Sequence, residues 1–286
     1  MDTTFPCPAC NGESWLPVGT HYYWRAEHQA NGNWYRDQYV RLRRRVLFEI
    51  WFPDADVVIL SSRRCATCGL ACYCPRPDSF DLEAKYRFLM EAKGVGTRDA
   101  AVEQDAARAA WVYETICAVQ TNPFRVLDVG GGNGRLMLPF LARGAECYLV
   151  DYATWTHQGV QRLGSTLADV PQAMSFDVAI CSHVLEHVAY PRRLLEEVHR
   201  ILCDDGIVYV EVPLEEFRNN AWNPILAEPV THISFFTAVT LRHLLLAVGY
   251  QTNLLEECVG TYEGQPLPVI RAVATKSNWL ADPVNI

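Results

Sequence analysis

Two Cys-x-x-Cys pairs frame the first part of the chain, Cys7-Pro-Ala-Cys10 and Cys65-Ala-Thr-Cys68. Each pair can supply two thiolates to one metal, and together they make the four corners of a tetrahedron, which suits Zn²⁺. Gly12 and Gly69 follow the pairs and ease the tight turns such knuckles need. The bland alternative is four ordinary buried cysteines; two separate pairs at this spacing speak against it. The residues between the pairs, 11–64, far exceed an ordinary finger loop, so the insert must carry its own structure. Cys72 and Cys74 follow closely, but two thiols alone make no second site, and they are read as structural.

A second chemical signature is Arg125 to Asp151, RVLDVGGGNGRLMLPFLARGAECYLVD. A short apolar run meets a glycine-rich turn, an amphipathic stretch follows, and a second apolar run closes on an acid. That is strand, turn, helix, strand, acid. Alternating glycines let the backbone take positive φ and let a ligand approach the main chain. An acid ending the second strand can hold the two hydroxyls of a ribose. The stretch therefore predicts a site for a nucleoside-bearing cofactor. The spacing Asp128-Val-Gly130-Gly-Gly132-Asn-Gly134 is not the dinucleotide fingerprint. Asp128 ahead of the turn would repel a phosphate placed on it.

Composition narrows the class of protein. The chain has 286 residues, half of them hydrophobic and a fifth charged, enough for one large or two modest domains. No apolar run reaches membrane-spanning length, so no membrane partner is expected. The opening MDTTFPCPAC has neither the basic region nor the apolar stretch of a signal peptide. With eleven cysteines and no export signal, the expected setting is a reducing, cytoplasmic one. A formal net charge of −8 argues against holding nucleic acid as the main business. The basic run Arg41-Leu-Arg-Arg-Arg45 is read as a solvated face rather than a phosphate site.

The elements that must position these groups follow in order. Val46–Phe52 and Val57–Leu60 read as strands, with Trp15, Trp24, Trp34 and Trp51 supplying a small core around the metal. Helices are predicted over Leu82–Ala92 and Ala101–Val119, separated by a hinge-like break at Gly94–Thr97. Val160–Leu163 is a short strand, followed by Gly164, Ser165 and Asp169. Strands follow at Ser175–Ser182 and Ile207–Pro213, with a helix at Leu194–Leu202 between them. A helix over Leu241–Val248 is stopped by Gly249, and strands near Leu254–Val259 and Leu267–Thr275 form a closing hairpin.

From about residue 100 to 276 these motifs resemble the class I S-adenosylmethionine (SAM) methyltransferases. The acid-glycine turn resembles their first motif. Ser175-Phe-Asp-Val-Ala-Ile-Cys-Ser-His-Val-Leu-Glu-His-Val188 and Thr231-His-Ile-Ser-Phe-Phe-Thr-Ala-Val-Thr-Leu241 resemble later ones. The resemblance implies an α/β fold, a Rossmann-like seven-stranded sheet behind a small zinc-binding domain. The expected division is 1–80 for the zinc domain, 81–122 for a helical linker over the cofactor site, and 123–286 for the SAM domain. It implies a SAM site made by Asp128, Gly130, Gly132, Gly134 and Asp151, with Tyr152 and Ser182 beside them.

Methyl transfer to a hydroxyl or a carbon acid needs a base, and the candidates are His183, His187 and His232, with His183 first. The bland reading of each histidine is a satisfied structural residue, most of all for His187. Certain small-RNA 2′-O-methyltransferases hold a divalent metal with E-x-x-E-H and a later His. Here His183-x-x-Glu186-His187 with His232 departs from that set by one carboxylate, and a second divalent metal is a minor expectation. The cysteine module paired with a Leu-Glu-His domain resembles enzymes of sugars and natural-product intermediates. The expected acceptor is thus a small molecule, possibly nucleotide-linked, methylated at O, C or N. The rivals are an RNA methyltransferase using the zinc module to hold RNA, and a silent methyltransferase-like subunit that binds a protein.

Overall fold

A computed structural model describes residues 4–26, 38–93, 102–121, 123–153, 155–214, 230–262 and 265–277. Its strands are β1 (Trp15–Trp24), β2 (Val57–Cys65), β3 (Ala71–Cys74), β4 (Arg125–Val129), β5 (Glu146–Val150) and β6 (Val160–Gly164). They continue with β7 (Phe176–Ser182), β8 (Leu202–Pro213), β9 (Ser234–Phe235), β10 (Tyr250–Tyr262) and β11 (Gln265–Lys276). The chain divides into two compact units. The first gathers Met1–Thr97, Glu186–Tyr190 and Glu216–Phe235; the second gathers Arg98–Leu185, Pro191–Glu215 and Phe236–Ile286. The N-terminal unit thus runs past residue 80 and borrows two later segments.

The first unit is built on an antiparallel sheet in the order β1-β2-β3-β9. The borrowed strand β9 pairs with β3 through Ala71 opposite Phe235 and Cys72 opposite Ser234. The core is Tyr23, Val58 and Leu60 from the sheet, with Val46, Leu47, Phe48 and Trp51 packed onto it. Val46–Trp51 is not the expected strand. It continues the helix Gln38–Arg45 as a π-helical turn, closed by the Phe52 N–H to Leu47 carbonyl bond. The run VLFEIW does not alternate, and a short apolar run fits a buried helical turn as well as a strand. The tryptophans do not act as one group: Trp15 stands opposite Cys65 in the β1–β2 register, whereas Trp51 lies in this core and Trp24 is 49% exposed. Trp34 lies outside the described residues, as does the break at Gly94–Thr97. The basic run is a solvated face only in part: Arg45 pairs with Glu49 at 3.0 Å on the surface, while Arg44 is half-buried over the buried Tyr23 ring.

The second unit carries a seven-stranded sheet in the order β10-β11-β8-β7-β4-β5-β6. β4 lies parallel between β5 and β7, β8 runs parallel to β7, and β11 enters antiparallel between β8 and β10. This is the Rossmann-like sheet with its closing hairpin that the sequence predicts. From Gly206 to Pro213 every residue of β8 is buried, as in a central strand covered on both faces. Helix Val102–Cys117 lays Val112 and Ile116 against Val126, Met137, Phe140 and Tyr209. Helix Ala238–Val248 starts three residues earlier than predicted, because Thr237 caps it by accepting from the Thr240 N–H. It stops where Gly249 takes φ +95°, as expected.

Candidate functional site

The four predicted cysteines converge. Cys7 Sγ lies 3.6 Å from Cys68 Sγ, Cys10 Sγ lies 3.5 Å from Cys65 Sγ, and all four sulfurs fall within 4.8 Å of one another. A tetrahedron with Zn–S bonds of about 2.3 Å has edges of about 3.8 Å, so the donor set fits zinc. The knuckles are formed by backbone bonds, Asn11 N–H to Cys7 O and Gly69 N–H to Cys65 O. Asn11 and Gly69 supply the positive φ of the two turns. Gly12 serves close approach: a Cβ there would sit 2.8 Å from Thr67 Oγ1. The thiols perturb one another, with Cys7 drawn down to about 5 by the Cys68 hydrogen bond and Cys10 pushed up to about 11 by burial.

In the second unit the glycine turn joins β4 to the short helical segment after it. Gly130, Gly132 and Gly134 take φ of +68°, +62° and +81°. They do different work. A Cβ on Gly130 would meet Val184 at 2.9 Å, and one on Gly134 would meet Val160 at 3.0 Å. One on Gly131, a glycine not singled out above, would lie 2.0 Å from the Asp128 carboxylate. At Gly132 alone the space is open. Asp151 closes the turn from β5, accepting from the Gly132 N–H at 2.9 Å and from the Ala153 N–H at 2.6 Å.

Asp128 is fully buried and neither carboxylate oxygen has a hydrogen-bond partner. Burial, then the charge of Asp151, push its carboxyl up to about 7. An orphaned buried acid under an open glycine fits a turn that receives a ligand with hydrogen-bond donors. The sign of the linked effect is fixed. Protonated Asp128 suits the fold, so its contribution is whole below about pH 4 and is lost as pH rises through 7. Asp128→Asn is expected to flatten that decline in the ligand-free protein. Thermal melts of both proteins between pH 4 and 8 check it; parallel curves would contradict it.

Of the remaining predicted cofactor residues, Tyr152 is 42% exposed next to Asp151, and Ser182 ends β7 in a polar cluster. That cluster was not read from the sequence in full. Its centre is Glu211, opposite Ser182 in the β7–β8 register. Glu211 Oε1 receives Arg108, Ser182 Oγ at 3.2 Å and His183 Nε2 at 3.2 Å, and Oε2 receives Tyr209 Oη at 2.7 Å. Burial alone would raise the Glu211 carboxyl, but His183, Arg108 and Tyr209 together hold it down at about 2. His183 sits at φ +56°, a left-handed conformation that a non-glycine residue rarely takes. Its N–H is tied to the Glu211 carbonyl at 2.8 Å. The missed signal was an acid inside an otherwise apolar strand, Ile207-Val-Tyr-Val-Glu-Val.

The other two histidines belong to the first unit. His187 and His232 form an edge-to-face pair with ring centroids 4.8 Å apart, and with Glu186 they make a compact group. Burial holds the His187 ring neutral, its pKa lowered to about 3. The four-residue metal set expected from sequence is thereby corrected: His183 is not in this group but turned to Glu211.

The second unit is a seven-stranded Rossmann-like sheet with a glycine turn after β4, and likeness to known proteins gives the family. The family described as "Methyltransferase domain" matches residues 97–255, more than half of the chain, and the chain belongs to it as a class I SAM-dependent methyltransferase. Among solved structures it is similar to the 1,6-didemethyltoxoflavin N1-methyltransferase of Burkholderia thailandensis, bound to its substrate and S-adenosylhomocysteine. That match has 21% identity, 74% of this chain and 97% of that one covered, and a TM-score of 0.57. It is also similar to the N-methyltransferase NodS of Bradyrhizobium japonicum in complex with S-adenosylhomocysteine. There the identity is 11%, the coverage 60% and 86%, and the TM-score 0.44. No curated protein matches the chain.

Proposed function

We propose that the chain transfers a methyl group from SAM to a small, polar acceptor of the natural-product or sugar type. The observation that carries this is the turn of the second unit: an orphaned Asp128, an open Gly132 and Asp151 bound to the Gly132 N–H. Asp128, Gly130, Gly132, Gly134 and Asp151 would hold the cofactor, with Tyr152 exposed beside them. SAM supplies an electrophilic methyl, so the protein's task is to position the nucleophile and to take its proton. His183 is suited to that task. Its Nε2 lies 3.2 Å from the Glu211 carboxylate, which orients the ring. The anionic Glu211 stabilises the imidazolium once a proton is taken. Ser182, bonded to both Arg108 and Glu211, supports that carboxylate from the end of β7.

A small acceptor is supported by the acidic charge of the chain and by the 1,6-didemethyltoxoflavin bound to the Burkholderia thailandensis enzyme, which shares the fold. Zinc at the cysteine cluster is proposed as structural, since all four ligand positions are protein thiolates. Incubation with methyl-labelled SAM and two pools, small polar metabolites and total RNA, tests the reading. Label is expected in the metabolite pool alone. Label in RNA would overturn the acceptor class, and label in neither pool, with SAM bound, would favour the silent-subunit alternative.

A further inference from the structure

We propose that Glu186, His187 and His232 form a second metal site, chemically distinct from the cysteine cluster and selective for a divalent transition metal. The three side chains each offer one ligand atom, and these atoms lie within 4.8 Å of one another. His187 Nε2 stands 3.8 Å from Glu186 Oε1. That is beyond hydrogen-bond range, yet two ligands with bonds of about 2.1 Å can span up to about 4.2 Å across one ion. The His187 tautomer is fixed in the ligating sense. Nδ1 lies 2.7 Å from the Thr231 carbonyl, which can only accept, so Nδ1 carries the hydrogen and the Nε2 lone pair faces the group. An imidazole oriented by a carbonyl behind it is the usual support of a metal-bound histidine. Glu186 is buried and supplies the negative charge.

The backbone around the group is clamped by the first unit itself. The Ile233 N–H donates to the Glu186 carbonyl at 2.9 Å. Arg76 donates to the Ala189 carbonyl at 3.0 Å, the Val188 carbonyl at 3.2 Å and Ser234 Oγ at 2.7 Å. Lys85 donates to the Val230 carbonyl at 2.6 Å. With the cysteine cluster loaded, the two segments bearing the ligands are therefore held before an ion arrives at this second site. The charges of Arg76 and Lys85 work against a weakly held cation, which favours ions with strong nitrogen affinity over Mg²⁺ or Ca²⁺. Two imidazoles and one carboxylate leave coordination positions open to water or to an acceptor oxygen. The cysteine cluster leaves none.

Cobalt titration of the metal-stripped full chain separates the two sites. Two Co²⁺ per chain are expected. One gives the intense thiolate charge-transfer band of the cysteine cluster, and the other gives only weak visible bands. His187→Gln and His232→Gln should each lose the second ion and keep the thiolate band, which also reports that the unit is folded. If either variant loses both, histidine ¹⁵N spectra of the wild type with Zn²⁺ decide: two imidazoles should shift on the second equivalent. A single Co²⁺ accounted for by the thiolate band, a second ion that survives both variants, or unshifted imidazoles would overturn the site.

Discussion

Replacing Cys7 with serine is expected to remove the bound zinc and to melt the first unit. The effect should be the largest of any single change in the chain. Metal binding at such a cluster contributes about 10–16 kcal/mol of apparent free energy, and where the site does not exist in the unfolded chain that energy is folding energy. The first unit depends on it because both knuckles rest on short backbone bonds: Cys7 N–H to Gly12 O and Cys65 N–H to Leu70 O, each 2.8 Å. β3 leaves the second knuckle directly, and β9 pairs with β3. Loss of the knuckle therefore frees β3 and, with it, the segment bearing His232. Amide hydrogen exchange over β1 to β3, with metal content on the same sample, reads this. Wild-type exchange in a zinc-free variant would contradict it.

The second large effect falls on turnover. His183→Gln is expected to lower kcat by about 10²–10⁴, the usual contribution of a positioned base, with the affinity for S-adenosylhomocysteine nearly unchanged. The wild-type kcat is expected to rise with pH as a histidine base deprotonates, and the variant's is not, a difference a merely structural histidine would not produce. Glu211→Gln is a different experiment. It leaves the Arg108 guanidinium buried beside a neutral amide, and breaking a buried pair costs about 3–5 kcal/mol. The sign of the Glu211 linkage agrees. Its folded carboxyl is held down to about 2, so its stabilisation is present above about pH 4.5 and is lost as pH falls through 2. A His183→Gln enzyme with wild-type turnover would remove the base from the account.

The second unit was largely legible in the sequence because its signals are local. A glycine turn between two apolar runs fixes β4 and β5, and Gly249 fixes a helix end. The convergence of the four cysteines was legible for the same reason: each pair specifies its own knuckle. What stayed hidden depends on pairing across the chain. Glu211 looked like one more strand residue until β7–β8 register set it opposite Ser182 and beside His183. Arg108 lies on a helix far upstream, and nothing near it in sequence announces a buried ion pair. The histidines of the Leu-Glu-His region look like one set when read in order. In the fold, His183 turns to the second unit's sheet, while His187 meets His232 in the first unit. Val46–Trp51 failed for a simpler reason: six mostly apolar residues carry no period that separates a strand from a buried turn.

Every role proposed for the second unit depends on SAM binding at the Asp128–Gly134 turn and Asp151. Calorimetric titration of the purified chain with SAM, S-adenosylhomocysteine and NAD tests it most directly, with Asp151→Ala alongside. Micromolar-range binding of the first two, about −8 kcal/mol, and none of NAD is expected. Losing the charge-assisted bonds of Asp151 should weaken both ligands by about 10- to 100-fold in a variant that still melts cooperatively. Binding of NAD in place of SAM, or an Asp151→Ala protein with unchanged affinity, would contradict the account.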